Sequence, residues 1–237
     1  MINLGVNEPD ATMRMWRYMR FSRFIWLLQY KKLWLSRADF LGDRWEIPLA
    51  GDQLKLVIDR HPPPAFPLSE GPIESAMERV ERLIPLWRRK TFVNCWSASK
   101  HESNALWRIY CGTKEGVALE TDYARLVSSL RGPRLFKVSY EVPGTNLRTP
   151  TVEDLATKKR PMFDYEKEFR ILQTENNESE ALGLPMDWNP EEHLIRIIVH
   201  PDADTSFMES VVAAVAHYAP SLKDNVVWSE MRDPPPA

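Results

Sequence analysis

Apolar and polar side chains alternate over residues 15–20, and this period of two predicts a first β-strand. A helical period follows directly, with Ser22 as a plausible N-cap residue. One face of that helix carries the apolar residues Phe24, Leu27 and Leu28. We therefore expect a strand followed by an amphipathic helix in this part of the chain.

Short strands and helices alternate along the rest of the chain, which predicts a mixed α+β fold. Further strands are predicted at 33–36, 91–97, 116–120, 134–141, 167–174, 193–200 and 226–228. Further helices are predicted at about 73–87 with Pro85 as a kink or an end, from the capping box Ser99-x-x-Glu102 to Tyr110, at 121–130 with Thr121 as the N-cap, at the motif Thr151-x-x-Asp154, and at 205–218. We expect a single α+β domain over residues 1–232, with a mixed, mostly antiparallel sheet flanked by helices.

Proline outnumbers glycine, with 19 Pro against 9 Gly. A dense group of prolines predicts a surface loop at about 59–72, because proline breaks both helices and sheet ladders. Residues 233–237 are expected to form a disordered tail. Glycine-rich phosphate-binding loops are scarce, and neither GxGxxG nor GxxxxGK[ST] occurs.

The charges of the chain are nearly balanced, with 31 Lys and Arg against 33 Asp and Glu and a net charge of -2. This excludes nucleic-acid binding through overall charge, which needs a concentrated basic field. Two cysteines without CxxC spacing and five scattered histidines predict neither a disulfide framework nor a metal site. The unpaired cysteines fit a reduced interior, so we expect a cytoplasmic protein. No apolar run approaches the roughly 18 residues of a spanning helix, so we expect no membrane contact.

The most suggestive chemical pattern is the segment 165–170, with the sequence YEKEFR. If this segment is a strand, Glu166, Glu168 and Arg170 share one face. In a cleft, a carboxylate can stabilise positive charge at a sugar carbon while an arginine keeps it ionised. The same alternation is typical of a solvated strand face with cross-strand ion pairs, and the residues alone leave both interpretations open.

Two other segments combine aromatic and polar side chains. In the first strand, Arg17 or Arg20 beside Tyr18 is suited either to an anionic ligand or to a structural ion pair. At the end of the strand predicted over 91–97, Ser97 and the amides of the next helix lie where ligands often bind.

The order of several short motifs is informative. They are WRY at 16–18, LWLSR at 33–37, Asp43, CWS at 95–97, ES at 102–103, Trp107-x-x-Tyr110, GVA at 116–118 and Tyr165-Glu166-x-Glu168-x-Arg170. Together they resemble a widespread bacterial domain-of-unknown-function family. The resemblance covers about residues 15–217 and brings no settled activity with it.

A second resemblance is to the ADP-ribosyltransferase fold, including its DNA-modifying toxin branch. It rests on three features in order: Arg17 in the first strand, the Leu27-Leu28 pair in the helix, and Glu166-x-Glu168 in a late strand. The resemblance implies a split sheet that binds NAD without a glycine fingerprint. The chain departs from the family pattern, because it has no Ser-Thr-Ser element and no histidine in its first strand. Ser36 or Ser97 then takes the middle position.

The second resemblance implies an NAD-consuming transferase or glycohydrolase of toxin or phage-defence type, with NAD as substrate and no metal. Glu168 is its expected catalytic residue at the oxocarbenium-like transition state, and Glu166 orients the acceptor or water. The expected NAD contacts are Arg17, Tyr18, Ser36, Trp96, Ser97 and Arg170. Arg17 would hold the pyrophosphate, and Trp96 or Tyr18 would stack on nicotinamide. The acceptor, nucleic acid or protein, is not specified.

Two other functions stay open. A non-enzymatic ligand- or protein-binding regulatory module would use the charged strand face and the nine tryptophans. A metal-dependent nuclease would need a carboxylate cluster, which Asp39, Asp43 and Glu46 do not convincingly supply.

Overall fold

The computed structural model describes residues 9–41, 76–142 and 151–232. Two compact units divide the chain. The first unit comprises Met1–Leu33, Trp96–Arg131 and Met186–Ala237, and the second comprises Trp34–Cys95 and Gly132–Pro185. The predicted α+β class, with a mostly antiparallel sheet flanked by helices, is confirmed.

The described elements have the following bounds. The strands are β1 (Arg14–Arg20), β2 (Lys32–Arg37), β3 (Thr91–Ala98), β4 (Gly116–Asp122), β5 (Arg134–Lys137), β6 (Ser139–Tyr140), β7 (Lys158–Lys159), β8 (Glu168–Thr174), β9 (Gly183–Asp187), β10 (Arg196–Val199) and β11 (Val226–Trp228). The helices are α1 (Phe21–Tyr30), α2 (Ala76–Lys90), α3 (Asn104–Leu106), α4 (Tyr123–Ser128), α5 (Val152–Ala156), α6 (Pro190–His193) and α7 (Thr205–Tyr218). Shorter turns are the 3₁₀ helices Ala38–Phe40, Pro161–Glu166 and Pro220–Asn225 and the π-helical turn Trp107–Cys111.

The central strand of the first unit is β4, which is antiparallel to β1 on one side and to β10 on the other. The register places Ala118 opposite both Tyr18 and Ile198. β11 extends this sheet as the parallel neighbour of β10. Residues 116–121 are buried, so both faces of β4 are covered and its sequence lacks a clear period of two.

Two helices pack in the core of the first unit. α1 buries the predicted apolar face of Phe24, Leu27 and Leu28. The ring of Phe21 meets the ring of Phe207 in α7 edge to face, with centroids 5.1 Å apart. α7 has the predicted bounds, and its N-cap Asp204 accepts a hydrogen bond from the Phe207 amide at 2.8 Å.

The second unit is organised around β8, which pairs with β3 and β5. β5 is antiparallel to β8, with Leu135 opposite Ile171. β2 is antiparallel to β3, with Ser36 opposite Val93. The short strands β6 and β7 form a separate parallel pair, and they lie between β5 and β8 in the sequence. β7 consists of Lys158 and Lys159, which are discussed below.

The short helix α5 anchors the core of the second unit. The short helix predicted at Thr151-x-x-Asp154 is present, and it has a capping box: the Thr151 hydroxyl accepts from the Asp154 amide at 3.1 Å and the Asp154 carboxylate accepts from the Thr151 amide at 2.9 Å. Leu155 packs in one buried cluster with Val93 and Leu172. A five-residue helix is thereby held by its cap and its apolar contacts.

The helix predicted from the Ser99-x-x-Glu102 capping box begins later than expected. It starts at Asn104, and the N-cap is Ser103, whose hydroxyl accepts from a first-turn amide at 3.4 Å. The Glu102 carboxylate instead accepts from the Trp107 indole N–H at 2.9 Å. The predicted capping box was wrong because the Glu102 carboxylate accepts a hydrogen bond from the buried Trp107 ring and does not return to the helix start.

Two other predicted N-caps were also wrong. Ser22 lies inside α1, and the N-cap position is held by Arg20 without a side-chain hydrogen bond. Asp122 caps α4, whereas the fully buried Thr121 donates its hydroxyl to the His193 carbonyl at 2.5 Å. Burial in β4 directs the Thr121 side chain to a backbone carbonyl instead of the helix start.

Several predicted boundaries differ from the structure. Pro85 lies inside α2, which continues to Lys90, so this proline does not end the helix. The strand predicted over 134–141 is divided into β5 and β6, and the strand predicted over 193–200 begins only at Arg196 after α6. β9 was not predicted. The predicted strands were too long because short turns with alternating apolar and polar residues have the same sequence pattern as a strand.

Some expectations lie outside the described residues, namely the proline-rich loop at 59–72 and the tail at 233–237. The single domain over residues 1–232 stays a prediction. Within the described part of the chain, every helix is too short or too polar to cross a bilayer.

Candidate active site

The predicted catalytic carboxylates lie in the second unit, where a 3₁₀ helix meets β8. Pro161 begins this 3₁₀ helix, a position that suits proline because it needs no amide donor. The helix ends at Lys167, which has a left-handed φ of 44° and donates its amide to the Asp164 carbonyl at 3.1 Å. β8 then begins at Glu168. Glu166 is therefore not a strand residue, and its predicted placement by strand alternation was wrong.

A buried ion cluster joins these carboxylates to two cations. Lys159 Nζ lies 2.6 Å from Glu166 Oε2 and 2.9 Å from Glu168 Oε2. Arg170 donates from Nε to Glu168 Oε1 at 3.0 Å and from Nη2 to Glu168 Oε2 at 3.3 Å. Its Nη1 donates to the Ala156 carbonyl at 2.6 Å. Glu168 is 3% exposed and Arg170 is 1% exposed, so the interpretation as a solvated strand face was wrong.

The cluster gives its two carboxyl groups different acidities. Burial opposes the ionisation of Glu168, but the charges of Arg170 and Lys159 outweigh it and hold the pKa at about 2. Burial raises the pKa of Glu166, although Lys159 acts in the opposite direction. Burial also opposes the charge of Lys159, but the adjacent carboxylates raise its pKa above the ordinary value. Glu168 is thus ionised at all but strongly acidic pH, and Glu166 takes up a proton more readily.

Two neutral side chains complete the surroundings of Glu168. Its amide donates to the Tyr140 hydroxyl at 2.7 Å, and burial raises the pKa of Tyr140 to about 12. The Cys95 thiol on β3 donates to the Glu168 carboxylate, and burial raises the pKa of this thiol well above its ordinary value. A cysteine reacts as a nucleophile only in its thiolate form. The raised pKa keeps Cys95 protonated, so its thiol serves as a hydrogen-bond donor and not as a nucleophile.

Two of the predicted NAD contacts, Ser36 and Arg170, belong to the second unit. Ser36 is a half-buried residue of β2 opposite Val93. The structure brings Arg170 to Glu168 as its bidentate partner, an arrangement that fixes the carboxylate in one orientation. Direct contact of Ser36 or Arg170 with NAD stays a prediction.

The other predicted NAD contacts belong to the first unit, and they are Arg17, Tyr18, Trp96 and Ser97. The Tyr18 hydroxyl accepts from the Ser103 amide at 2.8 Å, and its ring lies edge to face with Trp107 at 5.0 Å. Trp96 is 1% exposed, and its ring centroid lies 6.1 Å from that of Trp188. Both rings are core residues of the first unit, and their assignment to NAD stays a prediction.

Lys159 is a member of the buried ion cluster that the sequence patterns do not indicate. The residue stands in the run Lys158-Lys159-Arg160, which looks like an ordinary solvated turn. Both lysines are instead buried in β7, where the pairing with β6 holds them. Nothing in the residue pattern separates Lys159 from its neighbours, since its contacts with Glu166 and Glu168 depend on the path of the chain through the 3₁₀ helix into β8.

The carboxylates considered for a nuclease are only partly described. Asp39 accepts hydrogen bonds from Arg37 at 2.7 Å and 3.0 Å, and Asp43 and Glu46 lie outside the described residues. Over residues 9–41, 76–142 and 151–232, no group of three His, Cys, Asp or Glu side chains is arranged to hold a metal ion.

No protein-family model matches the chain, and no curated protein matches it. The bacterial family resemblance therefore stays a prediction. Among solved structures, three of Thermus sp. 2.9 DarT are similar, in complexes with ADP-ribosylated ssDNA, carba-NAD+ and NAD+. They are 12–13% identical, with TM-scores of 0.44–0.45, and the alignments cover 93–94% of this chain and 95–97% of those chains. A likeness at this level assigns neither a fold family nor an activity to this chain.

Proposed function

We propose that the chain is an NAD-consuming enzyme that transfers ADP-ribose to an acceptor or to water. The observation that carries the proposal is the buried Glu168 carboxylate, held ionised between Arg170 and Lys159. A toxin or defence role, with a nucleic acid or a protein as acceptor, belongs to the same proposal. The proposal also includes the split sheet of the ADP-ribosyltransferase fold.

A fixed carboxylate suits cleavage of an N-glycosidic bond. As the bond between nicotinamide and the ribose C1′ breaks, its electron pair leaves with nicotinamide and positive charge develops on the ribose. Glu168 is already ionised and oriented, so it stabilises this charge without reorganising during the reaction. Arg170 fixes the orientation of the carboxylate, and both residues are withdrawn from bulk water.

Glu166 supplies the second step. The acceptor oxygen or nitrogen forms the new bond to C1′, and its proton passes to the ionised form of Glu166. Nicotinamide leaves as a neutral molecule, so charge and atoms balance. A carboxyl group whose pKa is raised by burial is better suited to accept this proton than an ordinary glutamate.

A second candidate is the non-enzymatic binding module. The observation that favours it is the number of partners that Glu168 already has, because Arg170, Lys159 and the Cys95 thiol all bond to this carboxylate. Such a network also suits a purely structural role. Binding of NAD that stabilises the protein against heat, without any product, would support this candidate.

The deciding experiment measures nicotinamide release and ADP-ribose transfer by mass spectrometry. The folded protein is incubated with NAD and with protein, DNA or RNA acceptors, beside Glu168→Gln and the control Glu141→Gln. Glu141 is matched to Glu168 because it also pairs with a buried lysine, Lys158, at 2.6 Å. We expect Glu168→Gln to lower the rate at least about 100-fold and Glu141→Gln to leave it unchanged. Equal rates in Glu168→Gln and wild type, or no release by folded wild type, would refute the proposal.

A further inference from the structure

Lys159 contacts both carboxylates of the buried cluster, at 2.6 Å and 2.9 Å. We infer that Lys159 is a positioning residue for the reaction proposed above: it holds Glu166 beside Glu168, so that one carboxylate remains the stabilising anion while the other receives the proton. The inference rests on the proposed function and adds a residue that the sequence patterns do not reveal.

The directions of the hydrogen bonds separate the two cations. Arg170 binds both oxygens of Glu168 and turns its Nη1 to the Ala156 carbonyl. Lys159 directs its ammonium group to one oxygen of Glu168 and to one oxygen of Glu166. Arg170 therefore orients Glu168, whereas Lys159 links Glu166 to that pair.

The charges around Lys159 explain why this link matters for proton transfer. The groups that face it are Glu166 from the 3₁₀ helix, Glu168 and Arg170 from β8, the Tyr140 hydroxyl from β6 and the Cys95 thiol from β3. Two cations balance two carboxylates when both are ionised. A proton on Glu166 leaves one uncompensated positive charge in a buried site, which favours release of that proton after each turnover.

Lys158 provides a matched control. It is the neighbouring residue of β7 and is equally buried, at 9% exposed. Its Nζ pairs with Glu141 at 2.6 Å and takes no part in the ion cluster described above. Replacing either lysine by Met removes one buried ammonium group, but only Lys159→Met removes the bridge between Glu166 and Glu168.

Two measurements test the inference on the full chain. In NAD turnover, we expect Lys159→Met to lower kcat about 100-fold with little change in KM, Lys159→Arg to recover part of that loss, and Lys158→Met to behave as wild type. In NMR titrations of ¹³C-labelled glutamate, with signals assigned through Glu166→Gln and Glu168→Gln, Lys159→Met should move the Glu166 titration to higher pH. Unchanged titrations in folded Lys159→Met would overturn the inference.

These readouts separate the two proposals. If wild type releases no nicotinamide, the proposed function fails, while the titrations still report whether Lys159 couples the carboxylates. If Lys159→Met does not fold, the inference is tested on wild type by the ¹⁵N signal of the Lys159 ammonium group. We expect this signal to be protected from exchange and to shift as Glu166 titrates. A rapidly exchanging signal that ignores the Glu166 titration would contradict the inference.

Discussion

Replacing Glu168 by Gln should make the free energy of unfolding much less dependent on pH in the acidic range. The folded pKa of Glu168 is about 2, against an ordinary value of 4.5. As the pH falls, the unfolded chain therefore binds this proton before the folded protein does. The stabilising contribution of the carboxylate is complete above pH 4.5 and is lost as the pH falls towards about 2.

The magnitude follows from the size of that difference. Each pKa unit is worth about 1.4 kcal/mol, so a fall from 4.5 to about 2 contributes about 3 kcal/mol to the free energy of unfolding near neutral pH. The side chain is only 4% exposed, so solvent does not screen its partners. We expect Glu168→Gln to lose on the order of 3 kcal/mol, the range found when one member of a buried ion pair is removed.

Glu166 should behave in the opposite sense. Burial raises its folded pKa, so its carboxyl group favours the folded protein at low pH, and this benefit is lost as the pH rises through the folded pKa. As the pH rises, the stability of Glu166→Gln relative to wild type should therefore increase above pH 4.5, whereas that of Glu168→Gln should decrease between about pH 2 and pH 4.5 and then stay constant.

Urea unfolding followed by circular dichroism measures both effects. Wild type and the two variants are compared from about pH 7 to about pH 3, with midpoints converted to free energies by a common slope. The difference between wild type and Glu168→Gln should be constant near neutral pH and should shrink once the pH falls through about 4.5. A difference that stays constant with pH, or Glu166→Gln and Glu168→Gln curves of the same sign, would refute the electrostatic reasoning.

Three further predictions concern the supporting structure. Thr151→Ala removes the cap of α5 and should cost about 1 kcal/mol in urea unfolding, whereas Thr151→Ser should cost little; equal losses would argue against the capping box. Gly183→Ala should destabilise by about 1–3 kcal/mol, because a Cβ would lie 2.5 Å from the Leu35 carbonyl oxygen, and an unchanged midpoint would contradict the close packing of β9. Burial raises the pKa of both free thiols, to about 12 for Cys111, so Cys95 and Cys111 should resist iodoacetamide at about pH 8 until urea unfolds the chain; rapid labelling of the folded protein would be the contrary result.

The alternation of apolar and polar residues predicted the bounds of some helices and strands closely. α7 and β11 have the predicted bounds, and β8 differs from its prediction by one residue. A charged or capping residue at one end and a sustained apolar period are enough to define such elements.

The candidate site was predictable only in part. Glu166, Glu168 and Arg170 are close together as expected, but strand alternation does not explain the position of Glu166. The left-handed conformation of Lys167 separates the 3₁₀ helix from β8, and a non-glycine residue gives little warning of it. Lys159 reaches the carboxylates across a turn that contains Pro161, so pairwise spacing along the chain does not indicate the contact.

The interrupted sequence of the first unit has a consequence for folding on the ribosome. β4 is synthesised after the segment Trp34–Cys95 of the second unit, which separates it from β1, and its other neighbour, β10, follows the later segment Gly132–Pro185 that completes the second unit. One edge of β4 therefore waits for a distant partner, and pairings of this kind form slowly. A nascent chain that stalls before β10 exposes an apolar strand edge to chaperones or to other nascent chains. We expect the first unit to be the last to become protease-resistant during translation.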